Sequence, residues 1–290
     1  MTAYRFCRTD DMSLLVAAYE ACRGPEDAGT PDLDLSRFKR LVREIDLWCS
    51  SCMVALEGRE PVGVLLGAKR ATETLVYGLR VHPDHRRKGH GRHLLTSLGQ
   101  KLAILGPPRL LAEVPLERAA ACGLFAACGW RESMRLTDWH RDAAGLGRGN
   151  ASLEALTPVT LAELGDLLAN SLLWPQGGCW ERDLPALEKQ AAALRGLAFH
   201  SPDRVEAWVL YRPPAAERPG CEILRVGLAD GPRGKVALEV LLDELSKLGQ
   251  GAPLELTRVG SGELGESVLR AVGFKPGAEH ALFATEAKAA

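Results

Sequence analysis

Residues 75–92 read LVYGLRVHPDHRRKGHGR and join two segments of different hydrophobic period. The first seven are rich in β-branched, aromatic and aliphatic residues, which predicts a strand that stops at Pro83. Beyond the turn, leucines at positions 94, 98, 102 and 105 recur at helical spacing, and Gly106-Pro107 follows as a stop signal. The stretch therefore predicts a strand that enters an amphipathic helix through a short basic turn.

Two glycines, Gly89 and Gly91, open this helix. A helix start offers backbone N–H groups without internal partners and the positive end of the macrodipole, so it suits an anion. Glycine lets a phosphate approach those amides, and flanking cations can reach its oxygens. We interpret the turn as a phosphate-binding site, with a solvated basic turn as the simpler alternative. Its side chains are Arg86, Arg87, Lys88, His90 and Arg92.

The pattern Arg86-x-x-Gly89-x-Gly91 after an apolar strand resembles the acetyl-CoA pyrophosphate motif of the GNAT N-acetyltransferase superfamily. Gly129-Trp130, which follows Leu124-Phe125, resembles that family's next motif. The resemblance implies an α+β (mixed α/β) fold: a splayed, mixed, mostly antiparallel sheet flanked by helices, open where the strand ending at Val81 meets Leu110–Val114. It also implies acetyl-CoA as co-substrate. The implied cofactor-binding residues are Leu79, Arg80, Val81, Arg86, Arg87, Lys88, Gly89, His90, Gly91 and Arg92.

By the same resemblance, the acceptor amine attacks the thioester directly while a backbone N–H near Val81 holds the acetyl oxygen, and the Leu79–Val81 edge pairs with the pantetheine arm. Glu73 shares the side-chain parity of Val81 and is the candidate general base, with Glu113 and Glu117 as alternatives. The family's usual thiolate-protonating Tyr is replaced by Phe125, which cannot donate a proton.

These residues predict an N-acetyltransferase that acts on an amine of a small molecule or a peptide. Three alternatives stay open: a catalytically weak acyl-CoA-binding or regulatory module, an aminoacyl-transferring relative, and a thiol-pathway acyltransferase of tandem GNAT type. We expect the acceptor site beneath the loop Gly24–Asp34 or between the two halves of the chain. The sequence does not identify the acceptor or the oligomeric state.

The second half of the chain repeats the first at an offset of 145 residues. The offset superposes Leu79-Arg80-Val81 on Leu224-Arg225-Val226, Gly89 on Gly234, and Gly106 on Gly251. We therefore predict tandem domains over 1–142 and 151–290, joined by a glycine-rich linker at 143–150. At the positions of Arg86 and Gly91 the second copy carries Gly231 and Val236, so we predict that its phosphate site is degenerate and that Val236 obstructs it.

Composition bounds the remaining possibilities. The 290 residues include 36 Lys and Arg against 37 Asp and Glu, which predicts no general attraction to nucleic acid or membrane. The N-terminus lacks a secretory pattern, and eight cysteines suit free thiols in the cytoplasm. Cys49-Ser50-Ser51-Cys52 has the wrong order of elements for a thioredoxin-type motif. The histidine pairs of residues 82–93 lack a nearby carboxylate or thiol set, so we predict no metal site.

Overall fold

The computed structural model describes residues 1–142, 156–168, 178–216 and 218–287. The chain forms two compact units: unit 1 comprises Met1–Met134 and Ala281–Ala290, and unit 2 comprises Arg135–His280. This division differs from the predicted ranges 1–142 and 151–290, because part of the last strand of each half is assigned to the other unit. The predicted linker 143–150 lies outside the described residues.

Unit 1 follows the element order expected from the sequence: a strand, two helices, three strands, a helix, a strand, a helix and a strand. The elements are β1 Thr2–Phe6, α1 Met12–Ala21, α2 Leu35–Glu44, β2 Met53–Glu57, β3 Glu60–Lys69, β4 Glu73–Val81, α3 His90–Leu105, β5 Arg109–Pro115, α4 Ala119–Ala127 and β6 Arg131–Arg141. The residues of β6 from Arg135 onward belong to unit 2.

The sheet of unit 1 has the order β1-β2-β3-β4-β5, followed by the last strand of the chain, β12 Lys275–Glu286. Helix α3 covers one face because its leucines at helical spacing, Leu94, Leu98 and Leu102, are buried against the sheet. Helix α1 packs on β3. Ala281 and Phe283 of β12 complete the core beneath α3 and α4.

Strand β4 is paired along its two edges over different lengths. It is antiparallel to β3 from Thr74 to Val81, with an irregularity at Tyr77. Its parallel pairing with β5 extends only from Glu73↔Arg109 to Val76↔Ala112. Within residues 1–142, the edge of β4 from Gly78 to Val81 therefore lacks a paired neighbour on the β5 side, and the sheet opens there as expected.

Unit 2 has the same element order. Its described elements are β7 Leu156–Val159, α5 Leu161–Leu168, α6 Leu184–Gln190, β8 Arg195–His200, β9 Val205–Arg212, β10 Glu222–Leu228, α7 Pro232–Leu248, β11 Leu254–Gly260, α8 Glu266–Ala271 and the first part of β12. Strands β5 and β11 begin and end 145 positions apart, which agrees with the sequence repeat.

The strands of unit 2 are ordered β6-β11-β10-β9-β8-β7. Leu136–Arg141 of β6 are antiparallel to β11, and the parallel pair of β10 with β11 covers only Glu222↔Glu255 and Ile223↔Leu256. Unit 2 thus has a splay of its own. Among the described residues, no helix combines the length and apolar composition needed to cross a bilayer.

Candidate active site

The turn between β4 and α3 exposes a series of backbone N–H groups. Gly89 is the N-cap of α3 at φ +90°, and Arg87 has φ +63°. Such alternation of backbone conformation makes an anion-binding concavity, and only glycine adopts positive φ without strain. Within the described residues, the N–H groups of Arg87 through Arg92 make no backbone hydrogen bond. A Cβ at Gly89 would have no neighbour within 4 Å, so the turn is open to a ligand.

The basic side chains of the turn divide into two groups. Arg87 and Lys88 are exposed, and among the described residues they form no side-chain hydrogen bond or ion pair. Arg86 instead braces the turn: its Nε donates to the Val81 carbonyl at 3.1 Å, and its Nη2 lies 2.5 Å from Glu26 Oε1. Partial burial of Glu26 opposes ionisation, but the Arg86 hydrogen bond lowers the pKa of Glu26 overall. Arg92 is exposed on α3 and contacts Cys128.

At two further residues of the predicted phosphate-binding turn, the side-chain position faces away from the turn. Gly91 is buried, and a Cβ there would lie 2.9 Å from Leu124 Cδ2. It is therefore glycine because α3 and α4 approach closely, which corrects our expectation that a side chain there would stand over the phosphate. His90 is buried, with its Nδ1 2.6 Å from the Tyr4 hydroxyl. It can offer the turn only its backbone N–H.

The opening beside the turn is formed by the backbone of β4 from Gly78 to Val81. Leu79 and Val81 lie on this unpaired edge. Arg80 contributes only its backbone there, because its side chain is buried. The Arg80 Nε lies 3.3 Å from Asp27 Oδ2, and Arg118 Nη1 lies 3.0 Å from Asp27 Oδ1. Two arginines thus hold the buried Asp27 and pin the loop Gly24–Asp34 beside the opening.

Tyr19 of α1 covers the same part of β4. Its ring stacks on the Arg80 guanidinium at 3.7 Å, and a Cβ at Gly78 would lie 2.9 Å from the Tyr19 hydroxyl oxygen. Burial raises the pKa of the Tyr19 phenol, so it stays protonated at neutral pH. Sequence reasoning missed this residue because α1 showed an apolar run with no motif. Gly78, the one glycine of strand β4, was the available signal of a close approach.

Glu73 does not reach the opening. It pairs with Arg109 at the closed end of the β4–β5 ladder, and its carboxylate lies 3.4 Å from Arg109 Nε. It lies eight positions before Val81, about 26 Å at 3.3 Å per residue. The candidate base Glu73 is therefore at the end of β4 opposite the opening. Sharing side-chain parity with Val81 determines only which face of the sheet a residue is on, not its distance along the strand. Glu113 follows Ala112, the last residue of β5 that pairs with β4, whereas Glu117 is exposed after the strand.

Phe125 is part of the core of unit 1. It is 4% exposed, stacks on Phe283 at a centroid distance of 5.7 Å and meets Trp130 edge-on at 5.0 Å. Its preceding neighbour, Leu124, contacts the position of Gly91 instead. Helix α4 therefore presents neither a phenol nor the Phe125 ring at the opening, and Phe125 has a packing role.

Unit 2 lacks the phosphate-binding turn because its connection between strand and helix is shorter. Aligning the two halves at a constant offset of 145 residues did not show this difference. Residues 82–89 connect β4 to α3, but only residues 229–231 connect β10 to α7. The whole basic turn is missing, and Gly231 stands as the N-cap at φ +104°. Val236 is 58% exposed, so our expectation that it obstructs a phosphate site is wrong.

The splay of unit 2 is filled by a side chain. Arg182 is 1% exposed, its Nε donates to the Leu224 carbonyl of β10 at 2.6 Å, and its Nη1 donates to the Thr257 carbonyl of β11. Its Nη2 pairs with the buried Glu263. The Arg182 guanidinium therefore donates hydrogen bonds to carbonyls of both β10 and β11, the two strands that separate in unit 2. In unit 1 the corresponding edge of β4 stays open.

Comparison with known proteins agrees with this geometry. Residues 15–130 match the family model described as Acetyltransferase (GNAT) family. A GCN5-related N-acetyltransferase from Sphaerobacter thermophilus has a similar structure, with TM-score 0.69 and 18% identity over 99% of this chain and 96% of that chain. A tandem GNAT protein from the clavulanic acid biosynthesis pathway has TM-score 0.68 and 16% identity, and each chain is covered completely.

A third similar structure is a GCN5-related glucosamine N-acetyltransferase region of a fungal multi-domain GH3 beta-N-acetylglucosaminidase. It has TM-score 0.71 and 14% identity over 98% of this chain and 38% of that chain. At these identities the structural likeness shows the fold, and it extends over both halves of the chain. The predicted fold of two tandem GNAT-like domains is confirmed.

Proposed function

We propose that this chain transfers an acetyl group from acetyl-CoA to an amine of a small molecule or a peptide, because residues 15–130 match the family model described as Acetyltransferase (GNAT) family. One observation carries the proposal. The turn at Gly89, whose backbone N–H groups make no backbone hydrogen bond among the described residues, lies directly beyond the unpaired Gly78–Val81 edge of β4. A pyrophosphate bound at the turn would therefore continue into an acyl arm along that edge.

The residues of unit 1 can serve each step of a direct transfer. Arg87 and Lys88 neutralise phosphate charge while the turn amides donate hydrogen bonds. A backbone N–H of the β4 edge polarises the thioester carbonyl as the amine nitrogen attacks its carbon. The C–N bond then forms, the C–S bond breaks and the electron pair leaves with sulfur. We propose Glu113 as the group that takes the amine proton and Tyr19 as the phenol that donates a proton to the thiolate.

The location of these groups also suggests the acceptor site. Tyr19 and the pinned loop Gly24–Asp34 border the opening from the α1 side. We propose that the acceptor amine enters beneath this loop, where the Glu113 carboxylate would attract its charged form. The eight cysteines are free thiols, six of them buried, which suits the cytoplasm as the proposed location.

A matched pair of glycine substitutions tests the cofactor site. Gly89 and Gly58 both have positive φ, +90° and +63°, and a Cβ at either one meets no atom within 4 Å. Gly89→Ala and Gly58→Ala therefore incur similar backbone strain, about 1–2 kcal/mol, but only the former places a methyl group over the turn amides. We expect calorimetry to show one acetyl-CoA per wild-type chain and an affinity about tenfold weaker for Gly89→Ala.

Equal affinities of Gly89→Ala and Gly58→Ala would contradict the phosphate assignment. A second binding equivalent would contradict the assignment of unit 2 as degenerate. Turnover is then measured by release of free CoA thiol over a panel of amines and peptides. We expect Glu113→Gln and Tyr19→Phe to lower kcat at least tenfold with acetyl-CoA affinity retained, whereas Glu73→Gln should leave kcat unchanged.

A catalytically weak acyl-CoA-binding module is the second candidate. It is favoured by one observation: the Phe125 ring is enclosed in the core, so α4 supplies no phenol to the leaving thiolate. The same two measurements separate the candidates. Binding that depends on Gly89, without CoA release on any acceptor, would establish the binding module.

A further inference from the structure

Three side chains from separate elements converge beside the phosphate turn. Glu57 ends β2, His85 ends the short helical turn Pro83–His85, and His90 is the first residue of α3. One potential ligand atom from each lies within 4.8 Å of the others. The contact between His85 Nδ1 and Glu57 Oε1 measures 3.7 Å. The ligand atoms of a tetrahedral zinc ion lie about 3.4 Å apart, so only a small closure is needed.

The histidine of α3 is independently suited to hold a ligand. His90 is 6% exposed, and the Tyr4 hydroxyl contacts its Nδ1 at 2.6 Å. Its other ring nitrogen, Nε2, is buried and has no hydrogen-bond partner among the described residues. A buried imidazole nitrogen without a partner is costly unless something binds it. With Nδ1–H directed to the Tyr4 oxygen, Nε2 presents the lone pair that a metal requires.

We propose that Glu57, His85 and His90 bind a zinc ion, with Tyr4 as the outer partner that orients His90. Two imidazoles and one carboxylate form a donor set that zinc commonly accepts, with a fourth position left for water. A hydrogen-bonded outer partner on the second ring nitrogen is a regular feature of metal-bound histidines. This inference reverses our prediction of no metal site, because the carboxylate comes from β2 rather than from the neighbouring sequence.

The proposed ion would act on the turn that it flanks. His85 precedes and His90 follows residues 86–89, so coordination would tie both ends of the segment to the end of β2. Neither Arg87 nor Lys88 is among the proposed ligands, so coordination would leave their side chains and the N–H groups of the turn available to an anion. Zinc would thus restrict the conformations of the turn, and it should raise the thermal stability of the protein by mass action.

The test uses the untagged full-length chain, treated with chelator and titrated with zinc chloride by calorimetry. We expect one equivalent to bind and the melting temperature to rise. Glu57→Gln and His85→Ala should each weaken zinc affinity about tenfold or more, and both residues retain solvent exposure, so the fold should persist. Matched controls are Glu60→Gln, the exposed carboxylate opposite Glu57 in the β2–β3 hairpin, and His200→Ala, which removes a half-buried histidine of β8 in unit 2.

Unchanged affinity in both controls, with loss in both site variants, supports the site. Absence of zinc binding overturns the proposal, as does binding that survives Glu57→Gln and His85→Ala. Cobalt substitution provides a further check on the ligands. Thiolate-to-cobalt charge-transfer absorption would assign the metal to cysteines and would also overturn the proposal.

Discussion

Phe125 and Gly91 show how a single residue can match a motif and serve another purpose. Gly91 lies within the glycine pattern of the turn, but its missing side chain makes room for Leu124. Phe125 occupies the position expected for a phenol, but its ring lies between Phe283 and Trp130. At both positions a contact with another element, absent from the local sequence, accounts for the residue type.

The enclosure of Phe125 predicts the effect of adding a hydroxyl. Phe125→Tyr should lower the free energy of unfolding by about 1–3 kcal/mol, because the hydroxyl would be buried among apolar rings without a partner. It should bring no gain in turnover and no shift in the pH–rate profile. Urea denaturation and steady-state kinetics check both expectations.

Phe6→Tyr provides the control, since the half-buried Phe6 ring beneath Lys101 lets an added hydroxyl reach water. A Phe125→Tyr protein that is as stable as the wild type and turns over faster would place this ring at the leaving thiolate.

At the scale of elements, the connection from β1 to α1 depends on one carboxylate. Asp11 accepts hydrogen bonds from both Nη atoms of Arg5, each at 2.8 Å, and from the backbone N–H of Arg8 at 2.8 Å. These bonds, led by the Arg5 side chain, lower the pKa of Asp11 from 3.8 to about 2. The ionised carboxylate therefore ties the strand to the start of the helix.

The lowered pKa predicts a pH-dependent stability. A carboxyl group whose pKa is lower in the folded state stabilises the protein above its unfolded pKa, and this contribution disappears as pH falls from about 4 to about 2. We expect Asp11→Asn to cost about 1 kcal/mol at pH 7 after allowance for solvent screening, and the cost should vanish near pH 2. Urea denaturation over this pH range measures the difference.

Asp10→Asn is the matched control, because the Asp10 carboxylate makes no ion pair among the described residues. A difference between wild type and Asp11→Asn that stays constant down to pH 2 would contradict the role of the ionised carboxylate.

At the scale of the whole molecule, the last strand connects the end of the chain to the core of its first half. Ala281 is fully buried and Phe283 is 6% exposed in unit 1, beside the residues of α3, α4 and β5. The Ala287 N–H donates to the Pro108 carbonyl at 2.7 Å. The core of unit 1 is therefore completed only by residues that follow all of unit 2 in the sequence.

This arrangement predicts that changes near the C-terminus weaken unit 1. Phe283→Ala should destabilise it by about 3–5 kcal/mol through the loss of a buried ring. Leu282→Ala, at a half-buried position next to it, should cost much less. Hydrogen exchange measured by mass spectrometry should show faster exchange in peptides from β5 and α4, with peptides from α7 less affected. A fragment of residues 1–142 as stable as the intact chain would contradict this conclusion.

The sequence alone predicted the order of elements in the first half, the duplication and the phosphate turn. These depend on hydrophobic period, on helix stop signals and on glycine, which act over a few neighbouring residues. The strand ending at Val81, the helix containing Leu94 and the opening between β4 and β5 were found where they were expected. The resemblance to the GNAT superfamily then led from these local patterns to the expectation of acetyl-CoA binding.

Only the tertiary structure determined which side chains meet. It placed Glu73 at the paired end of β4 and β5, and it brought Tyr19 onto Gly78. It also placed Arg182 in the opening between β10 and β11 of unit 2. It also brought Glu57 beside His85 and His90, and it gave unit 1 a strand from the far end of the chain. A local pattern specifies the direction in which a residue points along its own element, whereas its neighbours depend on packing between segments that are distant in sequence.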